Sequence, residues 1–235
     1  MLKVSSIRGH SFLENGLFPG SVVVDLGMNT GSFAAAVRAR YGCEVIGLEP
    51  NPMLASKLQA HLAGVTCANA AISDRSGTLD FYLDNDNSEA STFHLNRTSK
   101  HMTPIEVTCI GIGDFLKTIG RPIGLLKMDV EGEEINLFGH FGLYRDVNQI
   151  SVEFHIRNHP YHKDLVKRIL RDARNNAFYC FDFSHNFEDV LFVNQTKLQV
   201  TRADRAAFLL FKSGLFLSKA AKWLQRRISA SHRGY

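Results

Sequence analysis

Ser21-Val22-Val23-Val24-Asp25-Leu26-Gly27-Met28-Asn29-Thr30-Gly31 begins as a short apolar run and breaks on a turn carrying two glycines. A run of that length ending in glycine predicts a parallel strand buried on both faces. Phe33, Ala36, Val37 and Tyr41 then recur at helical spacing, and Glu44 to Leu48 is a second apolar run. The unit reads strand, turn, helix, strand.

Outward from this unit the rhythm continues. The pattern predicts a helix near 52–62, a strand near 64–69, a strand at Ile123 to Met128, a helix from about Glu133 to Phe138 and a strand from Gln149 to Phe154. A helix at 162–174 follows, and β-rich segments at 177–183 and 189–193 are expected to pair antiparallel. Such alternation predicts an α/β fold with an open, doubly wound sheet. Residues 77–112 interrupt it with two alternating segments, Thr78 to Leu83 and Ile105 to Ile110, around a polar stretch. We read this insertion as a lid, with Ser91, Thr92 and Phe93 as candidates for the wall of an acceptor pocket. Asp84 to Glu89 begins like a calcium loop but lacks its sixth-place glycine, so it is taken as a solvated loop.

The bulk properties narrow the classes. With 235 residues and 45% hydrophobic content, the chain suits one large domain, here 1–200, with an appendage at 201–235. Cys43, Cys67, Cys109 and Cys180 lack the paired spacing of a zinc site or a redox dithiol, which suggests a reducing compartment. No signal-like opening and no apolar run near the roughly 20 residues of a membrane span stand out, so a cytoplasmic protein is expected. Asn96-Arg97-Thr98 and Asn194-Gln195-Thr196 match glycosylation acceptors, which matter only on the secretory route. Residues 201–235 hold eight lysines and arginines against Asp204, a net +7; the total is +4, so the rest of the chain carries −3. A body of that sign argues against a nucleic-acid partner.

In open α/β sheets the ligand lies beyond the carboxyl ends of the strands where their order reverses. Gly27 and Gly31 would let the turn after the first strand approach a ligand, and the following helix offers free N–H groups to a carboxylate. Glu49 ends the second strand, 24 residues after Asp25, where a carboxylate can accept the two hydroxyls of a ribose. A dinucleotide site wants G-x-G-x-x-G, whereas this turn is G-x-x-x-G, so the spacing favours a nucleoside cofactor without pyrophosphate over a nicotinamide one.

Ile123-Gly124-Leu125-Leu126-Lys127-Met128-Asp129-Val130-Glu131-Gly132-Glu133-Glu134 is a buried strand delivering carboxylates to the same sheet edge. With it, three blocks stand together: Asp25 to Gly31, Glu49-Pro50-Asn51, and Asp129-Val130-Glu131-Gly132. In these the chain resembles the FkbM-type methyltransferase family. The likeness extends to Ala70-Ala71-Ile72-Ser73-Asp74, Ser91-Thr92-Phe93 and Val152-Glu153-Phe154-His155, over about residues 20–195. Gly111-Ile112-Gly113-Asp114-Phe115 departs from the leucine and acid that commonly open a helix there, which leaves that helix start open.

The resemblance implies a Rossmann-like class I methyltransferase, with a seven-stranded, mostly parallel sheet ending in an antiparallel strand. It implies S-adenosylmethionine as cofactor, with Asp25, Gly27, Asn29, Thr30, Gly31 and Glu49 at its methionyl and ribose parts. Pro50 and Asn51 complete the second block, Asn69 to Ala71 pass the adenine, and Asp129 lies near the amino group. O-methylation of a hydroxyl on a sugar, glycan or related natural product is the implied activity. The alternative is a cofactor-binding or membrane-docking protein without turnover.

Methyl transfer to a hydroxyl needs positioning and a general base. His155 is the first candidate for the base because its ordinary pKa of about 6.5 suits proton uptake near neutrality; Glu131 and Glu153 are rivals, beside Asp129. These four side chains could also gather a divalent cation, but no metal ligand is assigned. His94 and His101 are read as surface residues.

From Ala203 to Ile228 the tail reads as one helix, or two broken near Gly214, with Arg205, Lys212, Lys219 and Arg226 every seven residues among Phe, Leu and Trp. Such a face needs cover: the body, a second copy in a homodimer, or an anionic membrane surface.

Overall fold

A computed structural model describes residues 1–84, 91–92, 102–139, 141–155, 162–184 and 186–214. Phe93, His94, Asn96, His101 and the tail from 215 onward lie outside the described residues, as do 85–90 of the calcium-like loop. The chain opens with a hairpin, β1 (Val4–Ile7) and β2 (His10–Leu13). The run beginning at Ser21 forms β3 (Val22–Leu26), followed by α1 (Ser32–Tyr41), β4 (Glu44–Leu48), α2 (Pro52–His61) and β5 (Val65–Ala68). Next come β6 (Ala71–Ser73), β7 (Gly77–Asp84), β8 (Ser91–Thr92), β9 (Met102–Gly111) and α3 (Ile112–Ile119). The remainder is β10 (Ile123–Met128), α4 (Glu134–Leu137), β11 (Gln149–Val152), α5 (His162–Asn175), β12 (Phe178–Asp182), β13 (Val190–Asn194) and a helix, α6, over 202–214.

The main sheet has seven strands in the order β12-β13-β11-β10-β3-β4-β5, and β13 is its antiparallel strand. The chain winds outward from β3 through β4 and β5, then returns to β10 on the other side of β3 and winds away through β11. The doubly wound, mostly parallel seven-stranded sheet expected from the sequence is therefore present, and its order reverses between β3 and β10.

Alternation across the pleat gives each face of this sheet its own core. Val22, Val24 and Leu26 join Leu126 and Met128 in the larger cluster, with Phe138, Phe141 and Ile169. Val23, Val45 and Leu125 join Phe12, Phe33 and Val37 in the other. Asp25 and Lys127 share the face of Val23 and Leu125, and they are direct partners in the β3–β10 register.

Several details differ from the sequence reading. The helix expected over Glu133–Phe138 is a single turn, because the Glu134 side chain folds back onto Val130 N (3.0 Å) and Gly132 N (3.1 Å). The unusual Gly111–Phe115 segment does start a helix: α3 begins at Ile112, with Asp114 in its first turn. β7 and β9, the insertion's two segments, pair along their length in a separate four-stranded sheet, β6-β9-β7-β8. The terminal hairpin, for which periodicity gave no expectation, packs β2 against β11 and β13.

Candidate active site

The glycine turn is built by the end of β4. Leu48 O accepts hydrogen bonds from both Gly27 N and Met28 N, each 3.1 Å, so the chain leaving β3 bends over its neighbour. Gly27 takes φ +75°, and a Cβ there would run into the carbonyl oxygen of Asp129. Asn29 is also left-handed, at φ +51°, a conformation asparagine tolerates better than most residues.

That bend aims Asn29 N at Glu49 Oε2 (2.6 Å), while Asn51 N donates to Glu49 Oε1 (2.8 Å). Burial raises the pKa of the Glu49 carboxyl, and these two N–H groups oppose it. Asn51 also caps α2, accepting from Met53 N at 3.0 Å, and Asn69 Nδ2 clamps Glu49 O (2.9 Å) and Pro50 O (3.0 Å). The second block is thereby stapled at both ends.

A cleft, part of it open to solvent, lies between the blocks. Gly27, Asn29, Glu49 and Pro50 form one side, Asp129 and Glu131 another, and Leu48, Ala70, Ile72 and Phe81 supply apolar wall. Phe81 comes from β7, so the insertion contributes directly to the cleft.

The acidic block crowds its far end. Glu131 adopts φ +54°, strained for a glutamate and a feature that tends to mark functional positions. His155 Nδ1 lies 2.8 Å from Glu134 Oε1, and its Nε2 lies 3.5 Å from Glu131 Oε2 and 3.7 Å from Asp129 Oδ1. Burial pulls the imidazole's pKa down, but the Glu134 hydrogen bond and the charges of Glu134, Glu131 and Asp129 outweigh it and push it up to about 10. Burial, with Asp129, Glu134 and Glu153 nearby, raises Glu131 to about 7 against the pull of His155. Glu153, also raised by burial, follows β11 and donates its N–H to Met128 O at 3.0 Å.

Asp129 is held well below the carboxylate range: burial would raise it, but Lys127 and His10 more than reverse this. His10 Nε2 is 3.4 Å from Asp129 Oδ2, reaching the site from β2 with its ring edge-on to Phe33. Donor atoms of His10, Asp129 and Glu153, and of Asp129, Glu134 and His155, lie within 4.8 Å of one another. We assign no ion to them, since Lys127 and a protonated His155 already bring positive charge and the Glu134 oxygens serve backbone N–H groups.

The structure gathers Gly27, Asn29, Glu49, Pro50, Ala71, Asp129 and Glu131 onto the cleft. Thr30 lies beside it in a neighbouring pocket with Asn29, while Asn51 and Asn69 brace the wall. Gly31 caps α1 in the left-handed conformation. Asp25 corrects the sequence reading: its side chain is fully buried beneath the turn, 3.0 Å from Lys127 Nζ, rather than facing the cleft. His10, Lys127 and Glu134 were not anticipated. Lys127 left a signal, as a lone charge in a run otherwise apolar enough to be buried on both faces, and Glu134 stood in the acidic block; His10 left none.

The residues present fit S-adenosylmethionine. Each Glu49 oxygen receives one backbone N–H and, when ionised, keeps a lone pair for a ribose hydroxyl. Ala70, Ile72 and Leu48 offer apolar surface to a flat base, and the Asp129 carboxyl, its pKa lowered by Lys127 and His10, offers negative charge to an ammonium.

Comparison with known proteins agrees. The methyltransferase FkbM domain matches residues 25–178. The 2-O-methyltransferase NoeI of Sinorhizobium fredii is 28% identical, over 55% of this chain and 61% of its own length, so the chain spans about three fifths of that relative. Among solved structures, an rRNA methylase from Streptococcus thermophilus is similar with TM-score 0.42 and 10% identity, over 76% of this chain and 87% of that one. The putative RNA methyltransferase PH1948 of Pyrococcus horikoshii gives 0.39 and 11%, over 75% and 74%. The chain belongs to the FkbM methyltransferase family, whose methyl donor is S-adenosylmethionine.

Proposed function

We propose that this protein transfers a methyl group from S-adenosylmethionine to a hydroxyl of a sugar, glycan or related natural product, with Glu131 as general base. The observation that carries the reading is a carboxyl with a pKa of about 7 on the cleft wall, next to the Asp129 carboxylate. A general base works best when its pKa lies near the operating pH. Oxygen as the acceptor atom is supported by NoeI, a 2-O-methyltransferase.

The cofactor, when bound, supplies an electrophilic methyl on a sulfonium. Asp129 orients its ammonium, Glu49 its ribose. His155, which the sequence reading placed first as base, is an imidazolium at neutral pH and has no lone pair to take a proton. Its charge instead steadies Glu131 and Asp129. Glu131 removes the hydroxyl proton as the acceptor oxygen reacts, and Glu153 adds negative potential that keeps the Glu131 carboxyl basic. Calorimetry with S-adenosylhomocysteine and NAD, followed by a labelled-methyl assay across sugar and glycan extracts, tests the reading. Binding of NAD alone would sink it.

The tail adds a proposal about place. No helix among the described residues is long and apolar enough to cross a membrane. On α6, Phe208 is buried against Phe183 and Leu191, whereas Leu209 and Leu210 are exposed. A basic, apolar segment of this kind suits the boundary of an anionic membrane, which supports reading the protein as a cytoplasmic enzyme held peripherally beside a lipid-linked acceptor. Deleting residues 215–235 together with Leu209→Ser and Leu210→Ser is expected to abolish sedimentation with vesicles containing anionic lipid and leave calorimetric cofactor binding intact. Unchanged sedimentation would end the membrane proposal and leave a second copy as the partner to test by light scattering.

A further inference from the structure

Lys127 is a cation in the middle of the sheet. It lies on β10, a strand buried along its whole length, and its side chain is 4% exposed. Removing an ammonium from water costs several kcal/mol unless it is paired and hydrogen-bonded, so a lysine here needs a reason. Its contacts supply one. Nζ donates to Gly27 O at 2.5 Å, approaches Leu26 O at 3.4 Å, and forms ion pairs with Asp25 Oδ1 at 3.0 Å and Asp129 Oδ2 at 3.6 Å.

These contacts converge on the blocks that make the cleft. The Gly27 carbonyl belongs to the turn whose N–H groups are fixed by Leu48 O, so Lys127 holds the other side of the same peptide region. Among the described residues neither carboxylate oxygen of Asp25, its register partner, has a hydrogen-bond donor, and the Lys127 ion pair is what faces it. We propose that Lys127 is a positioning residue for cofactor binding: it sets the carbonyl side of the Gly27 turn and holds Asp129 as an oriented carboxylate, acting through them without touching the cofactor. The proposal rests on the reading of the cleft as an S-adenosylmethionine site.

The charges around it support the assignment. Burial pulls the Lys127 ammonium's pKa down, but Asp25, Asp129 and Glu49 hold it above its ordinary value, so it stays charged. Asp129 is faced by Lys127 from the end of β10, His10 from β2, His155 after β11 and the carboxylates of Asp25, Glu131, Glu134 and Glu153. Without Lys127, that surplus of acids raises the Asp129 pKa, and a protonated Asp129 no longer attracts an ammonium.

The test titrates S-adenosylhomocysteine into the full chain by calorimetry from pH 5 to 9, with melting measured in parallel. Lys127→Met is expected to weaken binding by about 10- to 100-fold, the worth of hydrogen bonds to a charged group, and to move the acid limb of binding to higher pH. It also strands Asp25 as a buried unpaired charge, so melting falls. Lys127→Met/Asp25→Asn removes both charges and is expected to regain most of the lost melting temperature, yet to keep weak affinity and the displaced limb. Recovery of affinity and limb along with melting in the double variant would overturn the proposal, leaving Lys127 as a mere counter-charge for Asp25. Failure of the unaltered chain to bind S-adenosylhomocysteine would instead overturn the reading of the cleft.

Discussion

Glu131→Gln is expected to lower kcat by roughly 10²- to 10⁴-fold, the usual worth of a general base, while leaving S-adenosylhomocysteine affinity nearly unchanged. The amide keeps the size of the side chain and the left-handed backbone at φ +54°, so the cleft retains its shape and only proton acceptance is lost. The unaltered protein should show kcat rising with pH and half-maximal near 7. The sign follows from the shift: burial raises the Glu131 pKa to about 7, so the carboxylate that accepts a proton is scarce below that pH and dominant above it.

The same profile separates Glu131 from His155. An imidazole pushed up to about 10 is protonated over the whole neutral range, so a reaction using it as base would keep accelerating until about that pH. His155→Gln should retain turnover at high pH but carry its acid limb above 7, because His155 is the charge that lowers the Glu131 pKa. An unaltered protein with a limb near 10, abolished by His155→Gln, would return the role to histidine.

The proposed exchange of roles between His155 and Glu131 rests on contacts that the sequence could not show. β3, β4 and β10 were readable because a strand buried on both faces is apolar throughout, and the breaks at Gly27 and Glu49 mark where each ends. Those breaks also located the blocks that line the cleft, since turn glycines and strand-end acids act through local backbone. The protonation of Glu131 and His155 depends on Glu134, Asp129 and Glu153 converging from two strands and a short helix, which spacing alone does not reveal. His10 comes from a hairpin of two four-residue strands, too short for periodicity to register, yet it lies 3.4 Å from Asp129. Asp25 was readable as important and misplaced in role, because its partner Lys127 is a hundred residues away in sequence and adjacent only across the sheet.

Gly27→Ala should combine two costs at one atom. The turn requires φ +75°, where an L side chain costs about 1–2 kcal/mol. The added methyl would also meet the backbone carbonyl of Asp129, which cannot rotate away as a side chain could, and overpacking of that kind costs about 1–3 kcal/mol more. A total of roughly 2–5 kcal/mol implies a fall in Tm of about 5–15 °C for a chain of this size. The obstructed carbonyl belongs to Asp129, the residue proposed to orient the cofactor's ammonium, so relief of the clash moves Asp129 itself. A displacement near 1 Å at such a position costs on the order of 10²-fold, and S-adenosylhomocysteine affinity should fall accordingly. Gly120→Ala provides the control: it too is left-handed, at φ +62°, but its nearest neighbour is Lys117 O at 3.7 Å, remote from the cleft. It should lose about 1–2 kcal/mol and no affinity. Equal loss of affinity in both variants would mean that general destabilisation, not the contact between the Gly27 turn and Asp129, governs cofactor binding.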